Sequence, residues 1–252
     1  MSDSVCALCL TADRQRLTDR AVKCFLDQTA PAWMLVYDTG TTPYDLSAEL
    51  AQRSRETGHR IVIAYDKLAR THKIGRLRND AIQLTGTSEI IVHWDSDDWS
   101  DPRRLEVQLA NIKQTGVTCF LNMLFYDTRA LQIQMMMQPS LPGSVLGDAY
   151  EYDTAKCGPR NVIGTSLMYR RCIWESHPFN QNAVIGEDTQ WARMITTRRV
   201  ECVSAPLMIA EVHGGNSSYV YKLAFDEYQP AHRPEWRRRP EFDQFCREKL
   251  YP

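Results

Sequence analysis

Asp95, Asp97 and Asp98 stand at the end of an apolar run, Ile90-Ile91-Val92-His93-Trp94. Carboxylates this close repel one another, and a chain keeps such a cluster more readily where a cation neutralises it. Hard oxygen ligands of this kind suit Mg2+ or Mn2+, which keep some waters and take further ligands from substrate phosphates. The same residues also read as a solvated acidic turn, because Asp101-Pro102 makes an N-cap and N1 pair for a following helix.

The run that carries these acids is short, β-branched and aromatic, and Gly86-Thr87-Ser88 precedes it, so it predicts a buried strand. Its acids then lie at the strand's C-terminal end, where open α/β sheets bind ligands. The earlier strands end in the same way. Residues 5–10 lead into Thr11-Ala12-Asp13-Arg14, and residues 33–37 lead into Asp38-Thr39-Gly40-Thr41. Helical spacing predicts helices over 18–28, 46–55 and 74–84, with a third strand over 60–65. This alternation argues for an α/β layer with a mostly parallel central sheet flanked by helices. Thr11, Asp13, Asp38 and the acidic cluster then face one crevice.

Beyond Pro102 the pattern predicts a helix over 103–114 and strands over 117–126 and 162–169. Gly186-Glu187-Asp188 opens a helix through Trp191, Met194 and Ile195. Strands over 200–204 and 207–212 follow, and the second is left through His213-Gly214-Gly215. Asp188 is also the kind of acid that simply compensates a helix dipole. Residues 132–157 show no period, and from Tyr219 the composition shifts toward Pro, Arg and aromatics.

At 252 residues the chain has room for one large domain. Thirty Lys and Arg nearly balance 31 Asp and Glu, so no global field points to nucleic acid or an anionic membrane. No apolar run approaches the ~18 residues of a membrane span. The N-terminus shows no leader pattern, so a soluble, cytoplasmic protein is expected. Cys6, Cys9, Cys24, Cys119, Cys172 and Cys202 lie in apolar segments and read as reduced core residues. Cys6 and Cys9 form a C-x-x-C with no partner pair at zinc-site spacing.

Over roughly residues 5–218 the chain resembles the family 2 glycosyltransferases of the GT-A fold. The opening strand with Arg16-Leu17-Thr18-Asp19-Arg20-Ala21 is similar to the family's first strand and helix. Val36-Tyr37-Asp38-Thr39-Gly40-Thr41 resembles its second strand end, with Thr39 in place of the usual second acid. Gly75-Arg76-Leu77-Arg78-Asn79 matches an Arg-Asn helix start, and Trp94-Asp95-Ser96-Asp97-Asp98-Trp99 matches the metal-binding D-x-D region. Gly164-Thr165-Ser166 resembles the strand before the acceptor site, Glu187-Asp188 the acidic pair, and His213-Gly214-Gly215-Asn216 the closing motif.

The resemblance implies an inverting, metal-dependent transferase taking a nucleotide-sugar donor, with uridine diphosphate sugars favoured. Asp188 is then the general base, Asp97 a ligand to Mn2+ or Mg2+, and Asp95 the contact to ribose or metal-bound water. His213 is a further metal ligand, a phosphate donor, or an ordinary loop hydrogen-bonder. Thr11, Asp13 and Asp38 read base and ribose, and Arg78, with Lys73, adds charge at the diphosphate. Glu187 orients the loop or touches the acceptor. Trp191 is either a sugar-stacking wall or core. The expected division is a GT-A domain over 1–218, with a nucleotide-sugar half at 1–115 and an acceptor half at 116–218, then an extension over 219–252.

The acceptor stays open among glycan, lipid-linked sugar, protein and nucleic acid, with its specificity expected in residues 132–160 and in the extension. A nucleotidyltransferase would carry a phosphate-cradling glycine loop, and Thr11 to Arg16 has no glycine. The alternative from another class is a degenerate binding module whose Trp236-Arg237-Arg238-Arg239 stretch docks nucleic acid or an acidic partner.

Overall fold

Every residue of the first strand is apolar or small, because a sheet covered on both faces has no polar side. The computed structural model describes residues 4–112, 116–120, 122–127, 132–137, 150–152, 163–192, 194–195, 197–200, 207–213, 236–238 and 242–251. Strand β1 (Val5–Thr11) lies between β2 (Trp33–Asp38) and β4 (Ile90–His93), and β3 (Ile61–Tyr65) pairs with β2, all in parallel. Alternate residues serve the two faces. Val5, Ala7 and Cys9 of β1 join one apolar cluster with Val92 and Trp94, while Cys6 and Leu8 join a second with Ile91. Helix α1 (Gln15–Leu26) buries Ala21, Val22 and Phe25 on the first face, and α3 (Ile74–Gln83) buries Ala81 and Ile82 on the second. Helix α2 (Ala48–Thr57) ends at Gly58, whose φ of 74° suits a residue without Cβ.

The second half departs from the simple alternation. Beyond β4 come two antiparallel neighbours, β10 (Met168–Arg170) beside β4 and β6 (Val117–Phe120) beside β10. The parallel β11 (Thr197–Val200) and the antiparallel β9 (Tyr150–Tyr152) complete eight strands. Four of the seven neighbouring pairs are parallel, and these include all three in the N-terminal half. A second, five-stranded sheet runs β13 (Trp236–Arg238), β8 (Gln132–Met137), β7 (Asn122–Asp127), β12 (Met208–Val212) and β5 (Trp99–Ser100).

The single strand expected over 117–126 is therefore two, β6 and β7, in different sheets. The strand expected over 162–169 is a 3-10 turn, Gly164–Ser166, followed by the short β10. The extension past 218 adds to the domain: β13 pairs antiparallel with β8, and helix Asp243–Leu250 inserts Cys246 and Leu250 into the first apolar cluster. Cys172 is exposed, correcting its expected place in the core, while Cys6, Cys9, Cys24 and Cys119 are buried. Among the described residues no helix is long and apolar enough to cross a membrane. Cys202, Gly214 to Ser218, and most of 132–160 and 219–241 lie outside the described residues.

Candidate active site

The parallel strands deliver their C-terminal ends to one edge. There the β1–α1 turn, the β2 end and the acidic turn after β4 meet. Asp13 sits in the left-handed region (φ 53°), a conformation that Asp tolerates better than most residues. Its Oδ1 accepts from the backbone N–H of Thr41 at 2.7 Å and from the Thr41 hydroxyl at 2.6 Å, and Oδ2 pairs with Arg70. The Thr41 hydroxyl bond, with Arg70 beside it, holds the Asp13 carboxyl well below the usual range. Both oxygens of buried Asp38 accept backbone N–H groups, from Gly40 at 2.8 Å and Tyr44 at 2.6 Å. Asp38 thus shapes the 40–44 turn from inside. A Cβ at Gly40 would come within 2.8 Å of the Asp13 backbone nitrogen, so the close approach of the two loops requires glycine there. The Thr11 hydroxyl bonds that of Thr18 at 2.7 Å, tying the strand end to α1.

In the acidic turn the three carboxylates lean on different neighbours, with Thr165 shared by Asp95 and Asp98. Asp97 Oδ2 accepts from Arg14 at 2.9 Å and from His213 Nε2 at 3.2 Å, joining residues 116 apart in sequence. Burial pushes the Asp97 carboxyl up, but the His213 bond and the Arg14 charge outweigh it and hold it below the ordinary value. Asp98 Oδ2 accepts from Thr165 at 2.6 Å. Burial and then the Asp97 and Asp95 charges push Asp98 well above its ordinary value. Asp95 is also raised, by burial first, against the pull of Arg78 at 3.5 Å.

A second acidic pair faces this turn across Arg78. The Arg78 Nε donates to Glu187 Oε1 at 2.7 Å, both side chains are buried, and among the described residues no hydrogen-bond partner lies within reach of its buried Nη1. Asp188, one residue on at the N-terminus of helix Glu187–Ala192, is pushed up to about 6 by burial and by the Glu187 charge, with Arg78 pulling the other way. Its carboxylate rests on the backbone of Gly164, where a Cβ would lie 1.3 Å from Oδ2. The structure thus brings Asp95, Asp97, His213, Arg78, Glu187 and Asp188 to one edge, with Thr11, Asp13 and Asp38 where β1 and β2 end. Lys73 stays exposed at the start of α3.

Trp191 does not reach this edge. It is 1% exposed, packs against Tyr169 and Phe179 at ring distances of 4.6 and 5.1 Å, and donates to His177 O, so it is core and not a stacking wall. Asn79 also proves structural. Its Nδ2 donates to Phe179 O, and its Oδ1 accepts from Trp174 Nε1 and Phe179 N.

Sequence reasoning missed Arg104. This fully buried guanidinium donates to Ser100 Oγ at 3.0 Å, Gln108 Oε1 at 3.2 Å, His93 O at 2.6 Å and Thr165 O at 2.9 Å, and it stacks 4.6 Å over Trp94. It braces both sides of the acidic turn, and an arginine in the first turn of α4 (Arg104–Asn111) carries no local sign of such burial.

The donor set suits a hard divalent cation with few protein ligands. Among the described residues no three His, Cys, Asp or Glu side chains converge on one point. Asp97 and His213 do converge, which leaves the remaining positions to water and substrate oxygens, the usual habit of Mg2+ and Mn2+. Arg14 already shares the Asp97 oxygen, so a bound cation would have to displace it.

No family model and no curated protein sequence matches the chain. Solved structures do. TarS residues 1–349 from S. aureus superpose with a TM-score of 0.59 at 14% identity, covering 91% of this chain and 68% of that one. GalNAc-T7 with UDP, GalNAc and Mn2+ gives 0.61 at 12% identity, covering 92% of this chain and 50% of that one. The mannosyltransferase PcManGT from Pyrobaculum calidifontis, in complex with GDP-Man and Mn2+, gives 0.51 at 12%, covering 98% and 69%. The full TarS chain is matched over 41% of its length, so this chain spans half or less of two of these structural neighbours. The fold is that of the GT-A glycosyltransferases.

Proposed function

We propose that the chain transfers a sugar from a nucleotide diphosphate donor to an acceptor hydroxyl, with inversion at the anomeric carbon. The observation that carries this reading is the Arg78 guanidinium, 3.5 Å from Asp95 and 2.7 Å from Glu187. It joins the acidic turn that would face a diphosphate to the acidic pair that would face an acceptor.

The sugar lies between these two groups. Asp188 takes the proton of the acceptor hydroxyl as that oxygen bonds to the anomeric carbon from the face opposite the leaving group. The bond from the anomeric carbon to the diphosphate oxygen breaks, and its electron pair leaves with the diphosphate. A carboxyl raised to about 6 is ionised at neutral pH yet more basic than an ordinary Asp, which suits a general base. Glu187, locked to Arg78, orients the base and supplies part of that shift. Arg78 also offers its unpartnered Nη1 to anionic oxygens of the donor. A divalent cation, Mn2+ or Mg2+, would be held by Asp97 and His213 and would supply Lewis-acid neutralisation of the leaving diphosphate.

Thr11, Asp13 and the turn shaped by Asp38 form the nucleotide end. The sequence resemblance favours uridine as the base, and one structural neighbour carries UDP while another carries GDP-Man. The acceptor is a hydroxyl on a glycan, lipid-linked sugar, protein or nucleic acid. The docking-module alternative loses its free tail, since the backbone of Trp236–Arg238 is paired in the second sheet.

Calorimetric titration with UDP and with GDP, each with and without Mn2+, tests the donor side. Mn2+-dependent binding of UDP, at least about tenfold tighter than GDP, is expected. Absence of metal-dependent binding of either nucleotide would overturn the reading.

A further inference from the structure

Both side chains assigned to the cation are referenced to a single partly buried guanidinium that belongs to neither of their loops. Arg20, on α1, donates through Nη2 to the backbone carbonyl of Asp97 and to Glu211 Oε2, and through Nη1 to Leu250 O at 3.1 Å. Glu211 lies on β12 two residues before His213, the first residue past the strand's end, so a shift of this strand end carries His213 with it. Its other oxygen accepts from the Tyr251 hydroxyl at 2.7 Å.

The C-terminal helix grips the same turn from outside. Phe245 meets Trp99, the residue after Asp98, edge to face at 5.7 Å, and Lys249 Nζ lies 5.7 Å over the Trp99 ring. The Tyr251 ring packs against Tyr126 at 6.4 Å, and Cys246 and Leu250 are core residues.

We infer that helix Asp243–Leu250 and Tyr251 position the metal-binding turn, with Arg20 as the residue that transmits this order to Asp97 and His213. The inference rests on the cation reading above. Arg20 touches neither cation nor donor, so it is a positioning residue. A planar guanidinium meets three acceptors at fixed angles, and an ammonium in its place keeps the charge beside Glu211 without that fork. Partners behind metal ligands commonly set metal affinity by roughly 10- to 100-fold.

The test is Mn2+ binding in the presence of UDP, followed by electron paramagnetic resonance of free and bound Mn2+, in the whole chain. Arg20→Lys is expected to weaken Mn2+ by about tenfold or more and to broaden the bound spectrum. Tyr251→Phe, a change at a half-exposed position, should shift both readouts in the same direction by less, with an unchanged unfolding midpoint. Arg53→Gln, which opens the Arg53–Asp27 pair on another part of the surface, should leave both unchanged.

Wild type that fails to bind Mn2+ would overturn the cation reading itself. Wild type that binds it, with Arg20→Lys and Tyr251→Phe matching it in affinity and line shape, would overturn only the positioning role. So would an equal loss in Arg53→Gln. Should Arg20→Lys fail to fold, Tyr251→Phe decides: a wild-type affinity and spectrum there sinks the role.

Discussion

In Gly164→Ala the added Cβ would lie 1.3 Å from Asp188 Oδ2 and 2.1 Å from its Cγ. Ordinary contact begins at about 3.4 Å, so the carboxylate must retreat by about 2 Å. Gly164 is not among the glycines with positive φ, so alanine meets no backbone strain of its own. The turn resists moving in place of the carboxylate. Gly164 O accepts from His93 Nδ1 at 3.0 Å and from Leu167 N at 3.1 Å, and the neighbouring Thr165 is bonded to Asp98. Misplacing a reacting group by even ~1 Å costs on the order of 10²-fold. Turnover of the nucleotide-sugar donor should therefore fall by about 10²-fold or more. Side-chain rotation cannot relieve the 2.7 Å approach to Asp188 Cβ, so the backbone must give as well and the unfolding midpoint should fall, by an amount that overpacking commonly sets at about 1–3 kcal/mol. Mn2+-dependent UDP binding should also survive, because the acidic turn is untouched. The assay is steady-state release of nucleotide diphosphate, beside calorimetric binding and thermal unfolding. A folded variant that turns over within about threefold of wild type would refute the placement of Asp188 as base.

Further predictions concern charge and buried hydrogen bonds. Because burial and the Glu187 charge raise Asp188 to about 6, the rate should rise with pH through an apparent value near 6. Glu187→Gln removes the like charge and frees Arg78, moving that acidic limb to lower pH in a pH–rate profile; an unmoved limb contradicts the assignment. The same shift has a stability sign. A folded-state value above the unfolded ~3.9 favours the protonated fold, so stability from this group is present below pH ~4 and lost as pH rises through 6. Asp38→Asn keeps one acceptor oxygen where two N–H groups now converge, so one buried amide loses its partner. Chemical unfolding should show a loss of about 1–3 kcal/mol, and no loss would mean that the 40–44 turn does not depend on this carboxylate.

The chain's first half was legible because each strand is a short β-branched run followed by a polar turn, and each helix shows its apolar stripe. The acidic turn and the β2 end stood out because they follow strands, whereas Glu187-Asp188 was marked by the family resemblance, its place at a helix start being equally that of an ordinary dipole-compensating acid. The second half hid two features. The apolar residues of 117–126 look alike whichever sheet they enter, so periodicity cannot mark the passage from β6 to β7. Gly164-Thr165-Ser166 resembles a strand end but forms a turn, because Ser166 Oγ bonds back to Ile163 O and Thr165 reaches Asp98. Arg20 and Arg104 carry no local sign of their burial, since Arg20 bonds Asp97, Glu211 and Leu250 and Arg104 adds the His93 and Thr165 carbonyls to its neighbours Ser100 and Gln108. Trp191 carried the opposite ambiguity, and the rings of Tyr169 and Phe179 resolved it toward the core.

The most direct measurement is release of nucleotide diphosphate from a panel of nucleotide sugars without added acceptor, in wild type, Asp97→Ala and Asp188→Asn. Slow transfer to water needs no knowledge of the acceptor. The account predicts release from one donor that requires Mn2+ or Mg2+, is lost in Asp97→Ala, and is reduced in Asp188→Asn with nucleotide binding retained. Release that is indifferent to metal and to both substitutions, or no release from any donor together with no metal-dependent nucleotide binding, would contradict it.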